Sequence, residues 1–330
     1  MLIKFFKSSF LIQYFTLVLV TVALWIPGFL SNPGLPVEPN LITPLYNIGH
    51  YLLNLWGPAS AAAALAIVLI SALTLNNILV FHELTPKNNI LPAFVFLVLM
   101  GSNPHALGSY PVILSLTLFT WFLHTIYKMN DEPENYMEVF NASILISAIS
   151  MIYPAAIILF IFIWMVMLVY GIFNGRNLII SVIAVILPYT YLFLYFFWTD
   201  QVDAAFAAYE EYFGAVLNFT MNKSLLQLLI WGIFAVLMLL PSFMKISGSL
   251  SSFNINFRKK MAATSWMMVF TLPLIIFNGS VDHHNLIFLP AAVMIAHYFQ
   301  IFRKSLMNEL TLLAFLILSL INNYLFFLNA

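Results

Sequence analysis

The 330-residue chain contains no cysteine, which excludes a disulfide framework, a haem-attachment motif and any thiolate metal centre. Charge is nearly as scarce. Asp, Glu, Lys and Arg together make 7% of the residues, against about a quarter in a soluble domain. A chain so poor in charge has too little polar surface to cover itself in water, so lipid is the solvent its composition implies. Lys+Arg and Asp+Glu balance at 12 each, and no basic patch points to nucleic acid. No HExxH or comparable spacing gathers the histidines around a metal, and neither a metal nor an organic cofactor is expected. Acids and bases are also missing from the middle of every long apolar run. Ion-coupled transporters and proton pumps usually keep such residues there to carry the coupling ion.

What the chain has is apolar length: 63% of its residues are hydrophobic and its mean hydropathy is +0.98. The first run, Phe10–Leu30, follows Lys4 and Lys7. It is too long for the core of a signal peptide and no small-x-small cleavage site follows it, so it reads as a retained anchor. Further runs lie at Ser60–Phe81, Ile90–Ser102, Ala106–Tyr127, Val139–Ile152, Ala155–Phe173, Leu178–Trp198, Leu225–Met244, Ala262–Phe277, Leu286–Phe302 and Leu310–Leu328. The third and fifth of the resulting series are short for a hydrocarbon core of about 30 Å. Charge argues that both cross. With about eleven spans and the N-terminus inside, every basic residue except Lys223 falls on the cytoplasmic side, as the positive-inside rule requires. Dropping either short segment misplaces Lys128 or Arg176 and all that follows. The expected architecture is an all-α, polytopic, multi-pass helical bundle of the inner membrane, N-in and C-out. It forms one transmembrane domain over residues 1–330, with outer loops at 31–57 and 200–223 and a cytoplasmic loop at 245–261.

Few side chains outside the spans carry chemistry. The first outer loop is rich in proline, holds Glu38 as its one acid, and ends in Leu45–Trp56, too short to span and read as an interfacial helix. A carboxylate at a lipid–water boundary is a candidate general base toward a hydroxyl; the plainer reading of Glu38 is a solvated glutamate between prolines. Asp200–Lys223 puts Val202, Phe206, Tyr209 and Phe213 on one helical face, with Asp203, Ala207, Glu210 and Gly214 opposite. That segment reads as a second interfacial helix, with Phe206 and Phe213 touching lipid or a partner. His50, His105 and the turn Asp282–His283–His284 fall on the outer side as candidate lining of an outer cavity. His82, His124 and His297 fall inside, a division that excludes the clustered iron-binding histidines of a membrane carotene-cleaving dioxygenase. His82 and Glu83 close the second span and read as ordinary interface residues. Asn76–Asn77 and Asn322–Asn323 are the strongest polar points within spans and read as helix–helix hydrogen bonds. The Ser/Asn-rich segment Lys245–Lys260 ends in three basic residues suited to anionic lipid.

Certain stretches are similar to known proteins. Leu91–Phe94 through Gly101–His105, with Tyr110–Pro111, and later Ile152–Ala155, Asn174–Asn177 and Ile186–Tyr189, resemble the GT-C glycosyltransferase superfamily. One helix, then an outer loop with a carboxylate and an interfacial helix, then spans joined by short outer turns, is also its layout. More narrowly, Leu2–Lys7, Trp25–Leu30 and Phe81–Glu83 resemble an uncharacterised family of inner-membrane proteins typical of Bacteroidota. The GT-C resemblance implies transfer of sugar from a polyprenyl-phosphate donor at the outer face. It also implies an acid of the first outer loop as base, a position that Glu38 matches, and basic residues at the donor phosphate.

Two functions follow as expectations. One is a structural or accessory component of a cell-envelope assembly, with membrane lipids and other envelope membrane proteins as partners. The other is a polyprenyl-phosphate-dependent glycosyltransferase whose substrate is a lipid-linked sugar. The outer face offers Lys223 alone for phosphate and lacks the paired acids of many GT-C members. Those absences put the non-catalytic component first.

Overall fold

Prolines, glycines and short polar stretches decide where this apolar chain breaks into helices. The computed structural model describes residues 2–31, 43, 45, 57–103, 110–130, 135–217, 234–249, 253–277, 285–301 and 306–329. Among them the chain is all-helical, with no strand. The helices are α1 (Leu2–Phe6), α2 (Leu11–Ser31), α3 (Gly57–Phe81), α4 (Leu91–Met100), α5 (Tyr110–Lys128), α6 (Tyr136–Ile152), α7 (Leu159–Tyr170), α8 (Gly175–Trp198), α9 (Val202–Leu217), α10 (Leu240–Ser249), α11 (Ile255–Phe277), α12 (Phe288–Ile301) and α13 (Leu306–Asn329). A 3₁₀ segment, Pro154–Ile158, leads into α7, and a π-helical turn, Phe234–Leu239, leads into α10. Each apolar run of the sequence carries a helix wherever its residues are described. Three stretches, Ala61–Phe81, Gly175–Trp198 and Leu306–Leu325, are by length and composition long and apolar enough to cross a membrane. Seven shorter apolar helices run 10–17 residues.

Seven helices close a ring: α4 packs on α3, α3 on α5, α5 on α6, α6 on α7, α7 on α11, α11 on α12, and α12 back on α4. Outside it, α2 and α13 pair beside α3 and α4, α10 lies on α12, α8 lies on α6, and α9 folds onto α8. The ring's most enclosed member is α4, whose residues are all buried. Nothing between Leu91 and Met100 is polar, so this helix has no face to offer to water. Ten residues make a rod of about 15 Å, half the thickness of a bilayer core. Its start is set by Asn89, whose Oδ1 accepts from the Leu91 amide at 2.9 Å, with Pro92 in the first turn. Beneath it sits α1, with Phe6 stacked on Phe94 at 3.9 Å between centroids and 13° between planes.

Contacts sort the helix termini into two ends. At one, His82 after α3 meets His124 of α5. There Lys259 and Lys260 of α11 donate to the carbonyls of Tyr170 and His82 at 3.3 and 3.2 Å. Arg176 at the start of α8 lies over the Tyr136 ring of α6, 4.1 Å from its centroid. At the other end amides gather. Asn323 of α13 donates to the carbonyls of Leu24 and Gly101 at 3.0 and 2.7 Å, Asn322 to that of Ser102 at 3.4 Å, and Asn103 to Asn285 Oδ1 at 3.1 Å.

Three segments need redrawing. The expected loop Lys245–Lys260 is mostly helix, since α10 runs to Ser249 and α11 starts at Ile255. Asn254 explains the early start: its Oδ1 accepts from the Phe257 amide at 2.8 Å, an N-cap that puts Arg258–Lys260 within the first two turns of α11. The second expected interfacial helix is Val202–Leu217, and residues 218–233 lie outside the described set. Of the expected helix Leu45–Trp56, only Leu45 is described, and it is helical.

Candidate functional site

Helix α8 gives the protein its most exposed apolar flank, and its local sequence explains how it is held there. Gly171, at φ 76°, ends α7 in the left-handed conformation that costs glycine least. Three residues on, Asn174 Oδ1 accepts from the Asn177 amide at 2.8 Å and starts α8. One face of α8 then bonds inward. Ser181 Oγ accepts from the Trp164 indole at 3.1 Å, and the Tyr189 hydroxyl pairs with Ser150 at 2.7 Å. Ser147 donates to the Val185 carbonyl at 3.0 Å, next to the break that Pro188 makes in the helical ladder. The opposite face carries Ile179, Ile183, Ile186, Phe193 and Phe197, all exposed.

Asp200, at φ 56°, makes the turn out of α8, a conformation that Asp and Asn tolerate better than other non-glycine residues. The Gln201 amide donates to the Phe196 carbonyl at 2.9 Å, and α9 folds back along α8. Ala205 and Tyr212 are buried beneath it while Asp203, Glu210 and Glu211 face away. Between the two helices and the 3₁₀ segment lies an apolar groove of about 400 Å³, lined by residues including Pro154, Ile157, Tyr189, Phe206, Tyr209 and Phe213. Phe206 is 66% exposed and Phe213 40%. The Tyr209 hydroxyl is buried there with no hydrogen-bond partner among the described residues, and burial, then neighbouring Tyr189, pushes its phenol above the ordinary value. A second groove, about 420 Å³, runs along the other flank of α8 beneath Thr43 and Leu45. Thr43 Oγ1 donates to the Met151 carbonyl at 2.6 Å, fastening this part of the segment between α2 and α3 to the end of α6.

Both grooves suit an apolar chain or an apolar helix, and their described linings carry no carboxylate or nucleophilic thiol. Of the candidate residues read from the sequence, Phe206 and Phe213 come together on the first groove. Glu38, His50, His105, Asp282, His283 and His284 lie outside the described residues. Described neighbours of two of these stretches do meet, through the Asn103–Asn285 hydrogen bond.

The histidines at the Lys260 end of the helices were missed as a group. His82 Nε2 and His124 Nδ1 lie 3.0 Å apart, although 42 positions separate them in the chain. Burial, reinforced by Lys260, His124 and Lys128, pushes the His82 imidazole down to about 3. No group of three or more His, Cys, Asp or Glu fit to hold a metal occurs among the described residues. Comparison with protein-family models, with curated proteins and with solved structures finds no match for this chain.

Proposed function

We propose that this chain is an inner-membrane protein of about eleven spans, N-in and C-out, serving as a structural or accessory component of a cell-envelope assembly that docks at the α8–α9 corner. The observation that carries the proposal is the apolar surface of that corner. Trp198 is 90% exposed at the end of α8, and Phe206 and Phe213 stand open beside the groove. Contiguous apolar surface of this kind marks a lipid or protein contact. The topology draws support from Lys259, Lys260 and Arg176 at one end of the helices and the bonded amides of Asn103, Asn322 and Asn323 at the other.

The groove also favours a second reading. Its volume, about 400 Å³, accommodates part of an isoprenoid chain, as a polyprenyl-phosphate-dependent glycosyltransferase of the GT-C kind with Glu38 as base requires. Complementation of a deletion strain separates the two. As a docking component, the Phe206→Ser/Phe213→Ser protein inserts normally and fails to complement, while Glu38→Gln complements fully, since a solvated loop substitution moves stability by under about 0.5 kcal/mol. As a transferase, Glu38→Gln loses activity by about 10²–10⁴-fold at unchanged expression. Full complementation by the double serine variant would reject docking at this corner.

A further inference from the structure

The inner corner where α3, α5 and α11 meet is layered. Phe81 is 68% exposed and Trp121 56%, and their rings lie 5.6 and 6.3 Å from that of His124. Behind them is the His82–His124 pair, at 3.0 Å. Lys128 follows His124 by one helical turn and is exposed, and Lys260 reaches in from α11 to the His82 carbonyl at 3.2 Å. Exposed aromatics, then imidazoles, then ammonium groups is the order of side chains met on leaving a hydrocarbon core for the headgroup region.

Among the described residues the polar layer has an excess of positive charge: Glu83, exposed beside Lys260, is the carboxylate acting on that ammonium, against two lysines. Lys260 also satisfies the carbonyl at the end of α3, removing a negative dipole end that would repel an anion. Each neutral imidazole carries one N–H, and the His82–His124 bond uses one of the two. Whichever ring donates, one N–H remains for another acceptor.

We propose that this corner binds the phosphate of an anionic phospholipid of the cytoplasmic leaflet. Lys128 and Lys260 supply its cations, the histidine pair an N–H donor, and Phe81 and Trp121 the bed for an acyl chain. The proposal rests on the membrane reading and is independent of the docking role, so failure of either leaves the other standing.

Full-length protein in zwitterionic detergent tests it, with thermal unfolding and native mass spectrometry as readouts. Phosphatidylglycerol is expected to stay bound and raise the unfolding midpoint, where phosphatidylcholine with the same chains does neither. Lys128→Gln and Lys260→Gln should each weaken phosphatidylglycerol binding by roughly fivefold, the effect of one basic residue at an anionic surface. Lys128→Arg and Lys260→Arg, which keep charge and donors, should retain the preference and so exclude simple misfolding. Trp121→Ala should weaken phosphatidylglycerol binding while leaving its dependence on the two lysines in place. Equal response to the two lipids, or an undiminished preference in the double glutamine variant, would overturn the proposal. So would inorganic phosphate alone raising the midpoint as far as the lipid does, since that outcome assigns the corner to a soluble phosphate.

Discussion

Replacing Asn323 with leucine is expected to destabilise the protein by about 2–4 kcal/mol, because it removes two hydrogen bonds to buried backbone carbonyls at once. The Asn323 amide donates to the carbonyls of Leu24 at 3.0 Å and Gly101 at 2.7 Å. It thereby ties α13 to the C-terminal half of α2 and to the end of α4. Both acceptors sit where the chains come close enough to exclude other donors: a Cβ added at Gly101 would meet Leu24 Cδ1 at 2.7 Å. An isolated amide bond between membrane helices is worth about 0.6–2 kcal/mol. The larger figure expected here reflects the double acceptor and the lack of space for water. Asn322→Leu, which removes one longer bond of 3.4 Å to Ser102, should cost clearly less. Unfolding followed by tryptophan fluorescence in detergent, read for both variants, checks the order. Equal midpoints for wild type and Asn323→Leu would mean that the amide layer does not hold these helices.

Phe94→Ala should cost about 3–5 kcal/mol, the range for deleting a buried aromatic whose surroundings cannot collapse. Every neighbour along α4 is buried, so the cavity has no lipid or water to fill it. The loss has a second consequence at the N-terminus. Phe6 stacks on Phe94 at 3.9 Å and the Ile90 amide donates to the Phe6 carbonyl at 3.1 Å, which together fasten α1 beneath α4. Phe6→Ala and Phe94→Ala should therefore be non-additive, with a coupling of about 0.5–1.5 kcal/mol from the ring pair. Added protease should also release the first residues faster in either variant. Strict additivity would show that α1 is held by something other than this stack.

The helices were legible because polar and helix-breaking residues are few in this chain, and several of them mark boundaries. Asn89 with Pro92, Gly171 with Asn174, and Asn254 all stand where a helix begins or ends. The Asn322–Asn323 pair was legible for a related reason: an amide inside an apolar helix must find a partner, and the nearest acceptors are carbonyls of neighbouring helices. The same reasoning gives no account of Asn76, whose buried Oδ1 has no partner among the described residues.

Two features escaped a reading by period. On α9 the packed stripe is Ala205, Tyr209 and Tyr212 beside Val202, with Phe206 and Phe213 left open. Apolar side chains occupy both flanks of that helix, so periodicity alone cannot say which flank packs. The His82–His124 contact joins the ends of two helices far apart in sequence, and neither histidine has a local motif that announces it. Single residues at helix ends read as ordinary interface positions until the fold brings them within hydrogen-bond distance.

The lack of cysteine makes the central claim, the N-in topology, open to direct measurement, since any introduced thiol is the only one in the chain. Gly175 suits the purpose, because a Cβ there meets nothing within 4 Å. Asp131→Cys, Gly175→Cys and Ser252→Cys should react with a membrane-impermeant maleimide only after the cells are opened. Asn40→Cys, Ala207→Cys and Asp282→Cys should react in intact cells. Labelling of Asp131→Cys or Gly175→Cys from outside would contradict the crossing of the short segments and, with it, the eleven-span account.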